Sequence, residues 1–269
     1  MIHSGEWLAR RLEAAEAAND VDCTLAQPGS AVETFGGGWA IFAGAASPLT
    51  RAIGIGLDGP VGDAEVRRLE EFFHSRGAGV SIDFCPLANP GLLEILSRRG
   101  FRPAEFNNVV VRALAGAVPY AEEPIVERSG DGESWARIVG LGFFELPELS
   151  ADEMEVGRAI FRSRKAECYV ARLPGGEPAA GAALSVRGGT AVLFADSTLP
   201  GCRRRGLHAA LIRRRLNAAL AQGCDLAAAT VFPGSASQRN YERLGFQVAY
   251  TKVLLIEEKD AAADRPPAR

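Results

Sequence analysis

The chain has 269 residues, 47% of them hydrophobic and 7% aromatic, with a formal net charge of −3. That length suits one large domain or two small ones, and the slightly acidic balance argues against a general nucleic-acid binder, whose domains are strongly basic. Five scattered cysteines without a Cys-x-x-Cys pair, and three histidines far apart, exclude a disulfide framework and a spaced metal motif, so reduced thiols in a cytoplasmic protein with no metal are expected.

From Met1 to Trp7 no basic stretch leads into an apolar one, so no signal peptide is expected. No apolar run reaches the roughly 20 residues of a membrane span. Residues 52–57 read as a strand running into Asp58-Gly59-Pro60-Val61-Gly62-Asp63, an acidic loop. Residues 80–84 read as a second strand, followed by Cys85-Pro86, a short helix, Arg99-Gly100-Phe101 and a strand over 108–111. The proline-punctuated segment 116–124 has no periodicity and reads as a linker between residues 1–115 and 125–258.

Beyond it, Ser150 and Glu153 have capping-box spacing and open a helix that sends Met154, Ile160 and Phe161 towards a core. Strands are expected over 167–172 and 179–187, joined by Pro174-Gly175-Gly176. A strand over 190–195 leads through Thr198-Leu199-Pro200 into Arg203-Arg204-Arg205-Gly206. From Leu207 the positions Leu211, Ile212, Leu216, Ala219 and Leu220 continue a helical stripe ended by Gly223, with Arg213-Arg214-Arg215 read as a solvated basic patch. A strand over 226–231, Phe232-Pro233, a second capping box at Ser235 and Gln238, and a short helix follow. Leu244-Gly245-Phe246 and a strand over 251–256 complete the pattern, and the charged, proline-ended tail over 259–269 is expected to be disordered. Strand, turn, helix, Gly-Phe, strand thus occurs twice in one order, which an internal duplication explains.

A loop that turns on Gly206, carries Arg203 to Arg205 and opens a helix suits a phosphate. The first helical turn has N–H groups without partners, and its dipole favours an anion. The string from Thr198 to His208 resembles the acetyl-CoA loop of the GNAT superfamily of N-acetyltransferases, (Gln/Arg)-x-x-Gly-x-(Gly/Ala). Asn240-Tyr241-Glu242-Arg243-Leu244-Gly245-Phe246 resembles the helix end that partners that loop. The resemblance covers residues 124 to 258, and residues 1–115 resemble a degenerate copy without the loop, as in tandem members of the superfamily. It implies an α/β fold of the mixed α+β kind, with two GNAT-like halves. Each half would be a mixed, mostly antiparallel sheet flanked by helices, with one splayed pair of parallel strands.

By that resemblance acetyl-CoA lies where the two parallel strands part, near Ser197-Thr198 and Val231-Phe232, and the backbone at Thr198 pairs with the pantetheine arm like an added strand. The diphosphate would meet the N–H groups and side chains of Arg203, Arg204, Arg205, Gly206, Leu207, His208 and Ala209, with Asn240 nearby. Exposed charges at a helix end contribute about 0.3–1 kcal/mol each, whereas micromolar binding needs about 8 kcal/mol, so pantetheine contacts must supply most of it. His208 stands where the family motif has a small residue. A solvated side chain on the first helical turn is expected there, the alternatives being crowding of the diphosphate or a hydrogen bond to it.

The implied reaction is acetyl transfer to a primary amine by direct attack, the acceptor being a small molecule or a peptide. Tyr241 matches the family's general-acid position. A phenol of pKa about 10 is a weaker acid than a thiol of about 8.5, so a hydrogen bond to the developing thiolate is expected. Residues 226–231 hold no carboxylate, which leaves Asp196 to anchor a water relay as base, or merely to cap a turn. Glu145, Glu148 and Asp152 would border the acceptor cleft. Asp58 and Asp63 would repel a diphosphate, and Leu96 stands where the second half has Tyr241, so the first half is expected neither to bind cofactor nor to catalyse. No nucleic acid or membrane partner is expected, and the chain would be a monomer or homodimer. A non-catalytic acyl-CoA sensor on the same fold is the competing reading.

Overall fold

In the computed structural model, residues 5–119 and 124–258 are described. The expected disordered tail, and residues 120–123 of the expected linker, lie outside the described residues. The first half consists of α1 (Glu6–Leu25), β1 (Ala31–Phe35), β2 (Gly38–Phe42), β3 (Arg51–Ile53), α2 (Asp63–His74), β4 (Ser81–Phe84), α3 (Pro90–Arg98) and β5 (Phe101–Ala113). The second comprises β6 (Val126–Arg128), α4 (Gly132–Phe144), α5 (Ala151–Arg162), β7 (Ala166–Arg172), β8 (Pro178–Arg187), β9 (Thr190–Thr198), α6 (Leu207–Ala221), β10 (Leu226–Val231), α7 (Ala236–Arg243) and β11 (Gln247–Glu257).

All eleven strands belong to one mixed sheet, ordered β1-β2-β3-β4-β11-β5-β10-β9-β8-β7-β6. Two pairs are parallel, β3 with β4 and β9 with β10, one in each copy of the strand–helix–strand–helix–strand repeat. The copies do not sit side by side as closed units. Each gives its last strand to the other: β5 lies between β10 and β11, and β11 lies between β4 and β5. A strand edge left by one half is therefore paired by the other, which satisfies its backbone groups within one sheet.

The two faces follow the period of two expected of strands. On β9, Leu193 packs with Leu211, Ile212 and Leu216 of α6, while Phe194 packs against Trp135 and Val139 of α4. Helix α1 crosses the boundary between the halves. Its Leu8 and Leu12 share a core with Ile82 of β4 and with Leu226 and Ala228 of β10, and its Cys23 packs with Trp135 and Ile160. α1 has no clean apolar stripe, because Glu13, Asn19 and Asp20 are among its buried residues.

Local departures from the sequence reading have local causes. β3 stops at Ile53 because Gly54 and Gly56 turn the chain with φ of 73° and 79°. β5 begins at Phe101 because β11 pairs along residues 101–107, which lack an apolar pattern. The Ser150 box forms fully: Glu153 N–H donates to Ser150 Oγ at 3.3 Å, and Ser150 N–H to Glu153 Oε2 at 2.7 Å. At Ser235 half the box forms, since Gln238 takes the N–H of Gly234 at 2.8 Å.

Candidate functional site

The parallel strands β9 and β10 are in register at Thr190–Leu226, Ala191–Ala227 and Val192–Ala228, and then part. Beyond that point β10 continues along β5 and β9 along β8. A fork opens between them, as the resemblance implied. A β-bulge accompanies it: Ala195 and Asp196 together oppose the single residue Ala182, between the pairs Gly181–Ser197 and Ala183–Phe194. Ala195 takes φ 54°, a left-handed conformation that costs an L residue about 1–2 kcal/mol. α4 presses against this distorted strand. A Cβ on Gly142 would stand 2.3 Å from Ser197 Oγ and 2.9 Å from the Thr198 carbonyl, so only glycine fits. Ser197 Oγ donates to the Val139 carbonyl at 2.8 Å, so its side chain ties strand to helix and is unavailable to a cofactor.

The loop after β9 makes a short 3-10 turn at Pro200–Cys202 and enters α6 through Arg204 at φ 63° and Gly206 at φ 78°. No side chain caps α6, and the N–H groups of Gly206, Leu207, His208 and Ala209 meet no acceptor among the described residues. No acid stands in its first turn. α2, its counterpart in the first half, carries Asp63 and Glu65 there, and Glu65 accepts from Gly62 N–H at 3.0 Å. The N-terminus of α2 is thus already supplied with negative charge, and that of α6 is open to an anion.

The three loop arginines differ. Arg203 is engaged: its guanidinium donates to Glu145 at 2.7 Å and to the Gly142 carbonyl at 3.3 Å. It therefore joins the loop before α6 to the end of α4, where Glu145 adopts φ 56°. Glu145 is correspondingly paired, with 52% of its side chain exposed. Arg204 and Arg205 are exposed.

Beneath the loop, α6 and α7 close over a buried polar cluster centred on Asp196. Tyr241 donates its hydroxyl proton to Asp196 Oδ2 at 2.6 Å. Arg215, fully buried, pairs with Asp196 and donates to the Ala183 carbonyl at 2.9 Å. His208 Nε2 lies 3.2 Å from Asp196 Oδ1, within ion-pairing range but poorly aligned for a hydrogen bond. Asn240 Nδ2 lies 3.1 Å from His208 Nδ1, and Asn240 Oδ1 accepts from Arg243 at 3.1 Å, so Asn240 holds the ring beside Asp196.

Three expectations are corrected here. His208 is not solvated: its side chain is 15% exposed and turned into the cluster. Arg215 is not part of a solvated patch. It falls on the Leu207, Leu211 face of α6, a spacing of four that could have placed it inwards. Tyr241 is enclosed, and its proton is committed to Asp196. Burial, and then the Asp196 charge, push its phenol well above the usual value. Burial also opposes the charge on Asp196, but Arg215, His208 and the Tyr241 hydroxyl outweigh it and hold the carboxyl well below the usual carboxylate range. A phenol made less acidic, beside a carboxylate made less basic, is a poor acid–base pair.

Comparison with known proteins places this geometry. The profile of the Acetyltransferase (GNAT) family matches residues 135–246, which span the fork, the loop and the Asp196 cluster. The second half of the chain is therefore similar to the GNAT acetyltransferase family over that stretch. A GCN5-related N-acetyltransferase from Kribbella flavida superposes with a TM-score of 0.69 at 20% identity, covering 93% of this chain and 95% of that one. A tandem GNAT protein from the clavulanic acid biosynthesis pathway gives 0.61 at 17% identity, over 94% of this chain and 93% of the other. A GCN5-related N-acetyltransferase from Sphaerobacter thermophilus gives 0.57 at 17%, over 72% and 66% of the respective chains. These likenesses establish a tandem GNAT fold over nearly the whole chain. No curated protein matches the sequence. Among the described residues no helix is long and apolar enough to cross a membrane, and no cluster has metal-binding composition.

Proposed function

We propose that this protein is an acetyl-CoA-dependent N-acetyltransferase whose second half binds the cofactor and acetylates an amine on a small molecule or peptide. The observation that carries this reading is the coincidence of the β9–β10 fork with the uncapped α6 N-terminus. Bound acetyl-CoA supplies an acyl thioester open to attack. The N–H groups of Gly206 to Ala209, with Arg204 and Arg205, hold its diphosphate, guanidinium matching phosphate geometry. The backbone of β9 beyond Val192, paired on one side only, takes the pantetheine arm as an added strand. Asp196, Arg215 and Tyr241 are positioning residues in this scheme: they fix the bulge, α6 and α7 relative to one another. The acidic first turn of α2 supports a cofactor-free first half.

Calorimetric titration with acetyl-CoA, followed by thiol release across an amine panel, tests the proposal. Binding with turnover is expected. Tyr241→Phe should lower kcat by less than about tenfold, against the roughly 10²–10⁴-fold loss for an acid that transfers a proton. Absence of binding would refute the reading outright. The committed Tyr241 proton and the charged Asp196 also favour a second reading, a sensor, which binding without turnover on any amine would establish.

A further inference from the structure

Residues 226–231 carry no carboxylate, but the fold brings one to β10 from the other half. Glu16 of α1 accepts from Thr230 Oγ at 3.1 Å through its Oε1. Thr230 lies two residues beyond Ala228, where β10 has left β9, and is exposed there. Its side chain stands on the sheet face covered by α1, opposite to the face of Ala229 and Val231, which pack with α6. Glu16 therefore borders the fork from the side away from the Asp196 cluster.

Behind Glu16 lies a group of charges short of positive partners. Lys252 of β11, fully buried, reaches Glu16 Oε2 at 2.8 Å, Asp83 Oδ2 at 2.7 Å and Glu13 Oε1 at 3.6 Å. Arg51 pairs with Asp20 at 2.5 Å and stands 3.9 Å from Asp83. Four carboxyl groups thus face two cations. Glu13 Oε2 and Asp83 Oδ1 are buried and have no hydrogen-bond donor among the described residues. Arg51 Nε is buried without an acceptor as well, 3.9 Å from Asp83 Oδ2, but two cations among four carboxyl groups leave the cluster short of positive charge, which an ammonium group brings. Glu16 is the most exposed of the four carboxyl groups, with 16% of its side chain accessible.

We propose that Glu16, supplied by the first half, holds a cationic acceptor amine at the open end of the β9–β10 fork, so that the active site of the second half is completed by α1. This rests on the acetyltransferase reading above and adds to it the acceptor's charge class. It also gives the first half a function without a cofactor of its own.

The test compares wild type with Glu16→Gln, Glu16→Asp and Thr230→Val on the full chain. Propane-1,3-diamine is titrated calorimetrically in the presence and absence of acetyl-CoA, and its KM as acceptor is measured. Glu16→Gln should weaken diamine binding and raise KM at least tenfold, with acetyl-CoA affinity unchanged within twofold. Glu16→Asp should recover part of the loss, and Thr230→Val should show a severalfold rise in KM. An unchanged diamine affinity in Glu16→Gln overturns the proposal, as does a wild type that binds acetyl-CoA but not the diamine. Should Glu16→Gln fail to fold, Thr230→Val decides alone, an unchanged KM counting against the proposal. A wild type that binds no acetyl-CoA refutes the acetyltransferase reading itself.

Discussion

Single ionisable residues set opposite pH limits on this molecule. Asp196 is an anion inside the protein, matched by Arg215. Removing one member of a buried pair leaves the other uncompensated, at a cost of about 3–5 kcal/mol. Arg215→Ala should therefore lower the unfolding free energy by about that much in urea titration, and more than Arg214→Ala at the half-exposed neighbour. Since the folded pKa of Asp196 is depressed, its contribution is present above its unfolded value of 3.8 and is lost as pH falls below it. Glu13 behaves in reverse. Burial raises its carboxyl, Lys252 pulls it down, Glu16 and Asp83 raise it again, and it settles at about 7. Asp20, raised chiefly by burial, reaches about 6. Folded values above the unfolded ones mean that stability present below about pH 4 drains as pH rises towards 7. Urea titrations at pH 5 and pH 8 should find wild type less stable at pH 8, with a smaller difference in Glu13→Gln.

At the scale of elements, two glycines decide how the loop and the fork are held. Gly206 adopts φ 78° at the entry to α6, so Gly206→Ala forces an L residue into the left-handed region at about 1–2 kcal/mol. The loop should relax away from that conformation, and acetyl-CoA affinity should fall about tenfold by calorimetry. Gly142 lets α4 touch the bulged strand. Gly142→Ala should overpack this contact and destabilise by about 1–3 kcal/mol. It should also weaken the cofactor, because α4 carries Gly142 and Glu145, to which Arg203 of the loop is bound. A melt and a titration on the same sample separate the two effects.

The whole molecule is a single sheet made by exchange of terminal strands. Residues 124–258 alone would carry β11 with neither of its neighbours and β10 with one side bare. Exposed strand edges pair with whatever strand is available. Expressed alone, this fragment should aggregate or associate, and co-expression with residues 1–119 should restore a soluble complex at a one-to-one ratio by size-exclusion chromatography. A monomeric, folded fragment with an intact melting transition would contradict the exchanged-strand account.

What the sequence alone determined is whatever depends on short-range spacing. The strand–loop–helix order, the Ser150 box, the α6 stripe and the Gly206 loop follow from periodicity and backbone preference, which neighbours in the chain set. The parallel strand pair and the tandem GNAT fold followed from two motifs at the right separation. What only the tertiary structure decided involves partners far along the chain. Arg215, His208 and Tyr241 look like a surface charge, a solvated ring and an acid until α6 and α7 fold over Asp196. Glu16 acquires meaning only when α1 reaches β10, 214 residues further on. The exchange of β5 and β11 is equally invisible beforehand, because two similar strands can satisfy the same backbone hydrogen bonds and the global pairing alone chooses between them.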